Sequence, residues 1–272
     1  MRGEFIDLSG ARLYYYAAGT RGSGNPVVFI HGFPTSGHLW SDVVPLMPSG
    51  HRLVVLDLLG YGRSDRPLSR AVDAAAHAER VVALLDELRI DRACIVGHGF
   101  GGGVAQAIAV RHAERVSHLC LVDSIGFDRW PIPRLRVSRA MLPISPLVPP
   151  ALLLSRLRRQ VERGYGDRLH AARSIDLYLR PFAGPEGMQA LMAHIKGLST
   201  ADRELQTRLV LLDIPTAVVW GRRDRVLPLA TGEMLARQIP NATLDVIGDG
   251  HHFTPEETPR QVADAIAALL RR

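Results

Sequence analysis

Apolar positions along this chain follow two rhythms. Short unbroken runs occur at Pro26 to Ile30, Arg52 to Asp57, Ala93 to Val96, Val116 to Val122, Thr216 to Trp220 and Thr243 to Ile247. Their length and β-branched content predict strands buried on both faces. Between them lie helical segments: Ala71 to Leu88, with Val81, Leu84, Leu85 and Leu88 on one face, then Val104 to Arg111, Leu229 to Gln238 and Pro259 to Arg271. Ser36 to Leu46 predicts a shorter helix, and residues 4 to 18 alternate around Ser9-Gly10 as an antiparallel hairpin would. The order strand, loop, helix, strand predicts βαβ units and a parallel sheet covered on both faces.

The rhythm stops at about Ile125. From there to about Leu209 no strand pattern occurs, only apolar and arginine-rich helical segments punctuated by proline. Pro143, Pro146, Pro149 and Pro150 break an apolar stretch ahead of a helix predicted over Ala151 to Arg159. Residues 125–209 therefore read as a helical cap inserted into one α/β core made of 1–124 and 210–272. At 272 residues and 47% hydrophobic the chain can bury one large core.

Composition narrows the picture further. The first residues hold no apolar signal core, and no run reaches the roughly 18 apolar residues of a membrane span, so a soluble cytoplasmic protein without membrane partners is expected. The net charge of +6 comes almost wholly from arginine. Those arginines are spread along the chain and aromatics are only 6%, a poor basis for nucleic-acid binding. Cys94 and Cys120 each fall inside a predicted buried strand, as reduced core residues do, and no Cys/His spacing suggests a metal site.

The chemistry gathers where strands end. Cys94 to Gly103 reads as an apolar run, a tight glycine-rich turn and a helix, the outline of a nucleophile elbow. The raised position of that elbow is Gly99, which has no side chain to attack with. The segment is not a dinucleotide fingerprint, because no acidic ribose ligand lies suitably beyond it. Asp224 follows one buried strand, and His251 and His252 follow the last one, so a carboxylate and an imidazole reach the same sheet edge as Gly99. Such a pair makes a general base, the carboxylate orienting the ring and stabilising its protonated form. Asp123, also at a strand end, is the second choice of acid.

These segments, with His31-Gly32-Phe33-Pro34, Asp57 to Asp65 and Trp220 to Asp224 in order, resemble the α/β-hydrolase superfamily, in its capped branch with epoxide hydrolases and haloalkane or haloacetate dehalogenases. The resemblance spans nearly the whole chain. It implies a mostly parallel eight-stranded sheet flanked by helices with an inserted cap. It also implies an oxyanion hole formed by the backbone amides of Phe33 and Phe100, with His31 shaping that loop and His98 filling the position before the elbow. Relatives carry Asp or Ser where this chain carries Gly99, and dehalogenases of the branch often place Trp where Phe100 stands. The spacing back from Glu256 favours His252 over His251. Trp130, Tyr165 and Tyr178 are the cap residues that could line the substrate pocket with His31 and His98, the tyrosines as acid donors if the likeness to epoxide hydrolases extends so far.

Three readings of Gly99 remain. The chain is an enzyme working without a covalent intermediate by His252–Asp224 general-base catalysis (hydrolysis, elimination or cyclisation), a nucleophile-disabled relative of Asp or Ser enzymes, or a binder without chemistry. The expected ligand is a small, mostly apolar organic molecule, with no metal or organic cofactor, in a monomer or homodimer.

Overall fold

The computed structural model of the protein describes residues 3–19, 24–126, 140, 148–198 and 203–272. Eight strands form one sheet in the order β1-β2-β4-β3-β5-β6-β7-β8: β1 Glu4–Asp7, β2 Arg12–Ala18, β3 Val27–Ile30, β4 Leu53–Leu56, β5 Ala93–His98, β6 Val116–Val122, β7 Thr216–Gly221 and β8 Ala242–Ile247. The predicted hairpin β1–β2 is antiparallel, and β2 lies antiparallel to β4. From β4 to β8 every pairing is parallel. That difference follows the sequence pattern. β3 and β4 are apolar at every position and wholly buried, as strands covered on both faces must be, whereas β8, at the sheet's end, alternates exposed and half-buried residues.

Helices cover the sheet: α1 Ala74–Glu87, α2 Phe100–Arg111, α7 Leu229–Gln238, α8 Thr254–Glu257 and α9 Pro259–Leu269. Between β6 and β7 the described elements are all helical, α3 Pro150–Glu162, α4 Arg168–Leu179, α5 Gly184–Leu198 and α6 Arg203–Arg208, with short 3-10 turns. The predicted helix over 36–46 is instead two 3-10 turns, Gly37–Trp40 and Val44–Leu46, with Pro45, which has no amide to donate, in the first turn of the second. α1 begins at Ala74 rather than Ala71, since Asp73 caps it by accepting from the Ala76 amide at 2.9 Å. α3 runs on to Glu162. No helix among the described residues is long and apolar enough to cross a membrane.

Register brings the loops together. Ile30 pairs with Gly97, His98 with Val122, Val122 with Val219, and Gly221 with Ile247. Parallel strands in this register end at one edge, so the turns after β3, β5, β6, β7 and β8 form one cluster. The motif Asp57 to Asp65 supports it from the side. The Asp57 carboxylate accepts from the amides of Gly37 at 2.6 Å and Arg63 at 2.8 Å, and its carbonyl accepts from the Ser64 hydroxyl at 2.6 Å. This carboxylate ties loops together.

Candidate active site

The elbow stands at the turn from β5 into α2. Gly99 has φ +55° and ψ −119°, a conformation that costs a residue with a Cβ. The turn is held by its own backbone: the Gly99 amide donates to Val122 O at 3.1 Å, and Gly99 O accepts from Ile125 N at 3.0 Å and Gly102 N at 3.1 Å. Gly101 permits the strand–helix approach, because a Cβ there would lie 2.4 Å from His31 O.

A side chain at position 99 would nevertheless have room. A Cβ built on Gly99 lies 3.8 Å from His252 Nε2 and 3.7 Å from Gly32 Cα, ordinary contact distances. A Cβ at Gly99 would therefore point at the imidazole, and the gap between the Gly99 Cα and the ring takes one heavy atom without a clash. It belongs to a cavity of about 80 Å³, enough for several waters. Phe33, Pro34, Gly99, Phe100, Ile125, His252 and Phe253 line its core side, Val226 and Leu227 follow from the β7 loop, and Leu157, Gln160, Val161 and Leu198 enter from α3 and α5.

His252 is 5% exposed and fixed by three hydrogen bonds. Its Nδ1 lies 2.8 Å from Asp224 Oδ2, while Asp224 Oδ1 accepts from the amides of Val226 at 2.6 Å and Leu227 at 2.9 Å. The carboxylate thus assigns the proton to Nδ1 and leaves the Nε2 lone pair facing Gly99. The His252 amide donates to Gly164 O at 3.0 Å, and its carbonyl accepts from His98 Nε2–H at 2.8 Å. His98 is wholly buried, and desolvation, with the neighbouring His252 second, pushes its ring well below the ordinary histidine range, so it serves as a neutral donor.

Several residues expected at the pocket lie elsewhere. His98 lies beneath the His252 loop. His31 is wholly buried behind the turn, its Nδ1–H donating to Gly32 O at 2.9 Å and its Nε2 accepting from the Leu58 amide at 2.9 Å. It shapes the loop that carries Phe33 without lining the cavity. Tyr165 and Tyr178 are buried away from it, both hydroxyls donating to Glu256, Tyr165 at 2.9 Å. Trp130 lies outside the described residues. His251 turns away, its Nδ1 at 3.5 Å from Glu257 Oε1. Asp123, the second choice of acid, accepts from the Gly221 amide at 2.7 Å and from the Thr254 hydroxyl. Burial first, then the charge of Asp224, pushes its carboxyl well above the usual range, as suits a bracing group.

Sequence reasoning missed two features. Gln106 Nε2 donates to Ser124 Oγ at 3.1 Å and Ile125 O at 2.8 Å, holding Ile125 against the elbow. A polar residue within the apolar run of α2 was the available signal. Glu256, used above only to count spacing, anchors Tyr165 and Tyr178 and so joins the α3–α4 region to α8, beside His252 and Phe253. Burial pushes its carboxyl up from 4.5 to about 7, against the opposing donation of Tyr178 and Tyr165. The native state therefore holds a proton between those values that the unfolded chain has released, and stability falls as pH rises through that window. Glu256→Gln should remove this dependence, narrowing the loss between pH 5 and pH 8 by about 3 kcal/mol in urea unfolding. Parallel pH profiles for the two proteins would overturn it.

A buried parallel sheet, an elbow and an Asp–His pair at one edge define a class, and residues 25–259 match the alpha/beta hydrolase fold family. The chain belongs to that family. Among its relatives is a 2-hydroxymuconate semialdehyde hydrolase of Pseudomonas sp. (strain CF600), 30% identical over 92% of this chain and 88% of that protein. Haloalkane dehalogenase 2 of Mycobacterium bovis is 28% identical over 97% and 93%. An alpha/beta hydrolase fold protein from Burkholderia ambifaria superposes with a TM-score of 0.86 at 26% identity, covering 99% of this chain and 97% of that one.

Proposed function

We propose that this protein is a hydrolase that works without a covalent intermediate, with His252 activating a water held above Gly99. The observation that carries the reading is the open space between the Gly99 Cα and His252 Nε2, a Cβ there standing 3.8 Å from the ring. A water in that space would give its proton to Nε2, its oxygen bonding to the substrate carbonyl carbon. Charge developing on the carbonyl oxygen would meet the amides of Phe33 and Phe100, the latter the first residue of α2 and so without an acceptor in its own helix. When the bond to the leaving group breaks, the imidazolium returns the proton to that group. The apolar lining favours a small, mostly apolar substrate, and the helices between β6 and β7 act as its lid. The hydrolases among the relatives favour hydrolysis over elimination or cyclisation.

The second reading, an elbow that has lost an Asp or Ser, draws on the same geometry, since φ +55° and an unobstructed Cβ suit a nucleophile. Gly99→Ser and Gly99→Asp separate the two. Under the water reading each side chain fills the water's place and turnover of p-nitrophenyl butyrate falls. Each variant also loses about 1–3 kcal/mol of stability to backbone strain. Under the second reading Gly99→Ser gains turnover and its elbow peptide carries a butyryl mass increase. That gain would overturn the water mechanism.

A further inference from the structure

A groove of about 680 Å³ is lined by α3, α4 and the loop after β7. Arg158, Arg159, Arg163 and Arg168 enter it from the lid side and Arg225 from the core side. Arg158 pairs with Asp176, while the other four, all exposed, form no ion pair or side-chain hydrogen bond among the described residues. Arg12 with Asp65 and Arg115 with Asp86 show the ordinary surface arrangement, a guanidinium beside a carboxylate. Two carboxylates share the groove's lining. Asp167 accepts from the Leu169 amide at 2.9 Å, and Glu162 forms no ion pair among the described residues. The floor is firm, since Tyr165, Ala171 and Ile175 are each 4% exposed or less. Cations facing one another across a seam repel, and an anion set between them turns that repulsion into attraction.

We propose that this groove binds the phosphate groups of a small phosphorylated ligand, and that the bound phosphate fastens the lid to the core. Phosphate suits the cluster because its oxygens accept from several guanidinium forks at once, each fork giving two parallel bonds, and because it carries about two negative charges at neutral pH. A single carboxylate would leave most of the forks without an acceptor. The place of the groove says what fastening does. α3 puts Leu157, Gln160 and Val161 on the catalytic cavity and Arg158 and Arg159 on the groove, so a ligand that holds one side of this helix holds a wall of the cavity. Arg225 stands between Asp224, which orients His252, and Val226, which lines the cavity. A phosphate shared by Arg225 and the lid arginines therefore ties α3 to the loop of the orienting acid. The ligand class is a compound carrying a phosphate or pyrophosphate group that stays outside the cavity. The binding site is independent of the water mechanism, and the fastening rests on the reading of the helices between β6 and β7 as a lid.

Inorganic pyrophosphate is the probe, titrated calorimetrically into the unaltered protein with acetate at equal ionic strength as the comparison. Pyrophosphate is expected to bind at least about tenfold more tightly than acetate, and its affinity to fall as sodium chloride is raised. Arg163→Gln and Arg168→Gln are each expected to weaken it by about three- to tenfold. Arg260→Gln, on the exposed side of α9 and outside the groove, should leave the affinity unchanged. Circular dichroism checks that the variants keep the fold. Hydrogen exchange across α3 should slow when pyrophosphate binds. Displacement of pyrophosphate by coenzyme A would assign the phosphate to a soluble carrier, and sedimentation with phosphatidylglycerol vesicles would assign it to a lipid headgroup; either result upholds the phosphate site. Acetate binding as tightly as pyrophosphate, or equal weakening by the groove variants and Arg260→Gln, would overturn it. Unchanged exchange across α3 with pyrophosphate bound would overturn the fastening. None of these measurements involves turnover, so failure of the water mechanism, read from turnover in His252→Ala, is a separate result.

Discussion

His252→Ala should lower kcat/KM for p-nitrophenyl butyrate by about a hundredfold to ten-thousandfold, the usual contribution of a positioned general base. The ring is the only side-chain base lining the cavity among the described residues, and its Nε2 faces the space where a water would stand. The fold should survive, because the bonds that hold this loop, from His98 to the carbonyl at 2.8 Å and from the amide to Gly164 at 3.0 Å, use the backbone of residue 252. Circular dichroism and unfolding midpoints check that point. His251→Ala is the control and should leave turnover within a few-fold of the parent, since its ring turns to Glu257. A dead His251 variant beside an active His252 variant would reverse the assignment.

The second large effect is expected from Asp224→Asn, a loss of up to about ten-thousandfold in kcat. The reason is the tautomer. Asp224 Oδ1 accepts from two amides, so an asparagine would keep its oxygen there and turn its NH₂ toward His252 Nδ1. Nδ1 would then have to accept, the proton would move to Nε2, and the lone pair facing Gly99 would be lost. Asp123→Asn serves as the comparison. Its carboxyl braces the Gly221 amide and the Thr254 hydroxyl, so the change should cost stability while sparing most of the turnover. If Asp123→Asn abolished turnover and Asp224→Asn did not, the orienting acid would have to be reassigned.

Periodicity located most of the sheet because strands buried on both faces cannot afford polar interruptions. Val116 to Val122 and Leu229 to Gln238 were legible to the residue. The ends of elements were less so, as Ala71 to Asp73 shows. There the helix start is decided by one side chain capping one amide.

The sequence alone was enough to place Gly99, Asp224 and a histidine at one sheet edge, because alternating strands and helices force parallel strands to end together. It was also enough to show that residue 99 of the elbow turn is a glycine, without a side chain, which is a matter of residue identity. Only the tertiary structure decided which histidine meets the elbow. His251 and His252 are neighbours whose rings meet different partners, Glu257 and Asp224, and the hydrogen bonds from His98 to the His252 carbonyl and from the His252 amide to Gly164 O select the orientation. The same holds for the pocket wall. Tyr165 and Tyr178 were reasonable pocket residues by type, but a buried carboxylate, Glu256, takes both hydroxyls away from it. Leu157 and Val161 line the cavity because α3 lies over Gly99, a contact between residues distant in the chain that no local pattern encodes.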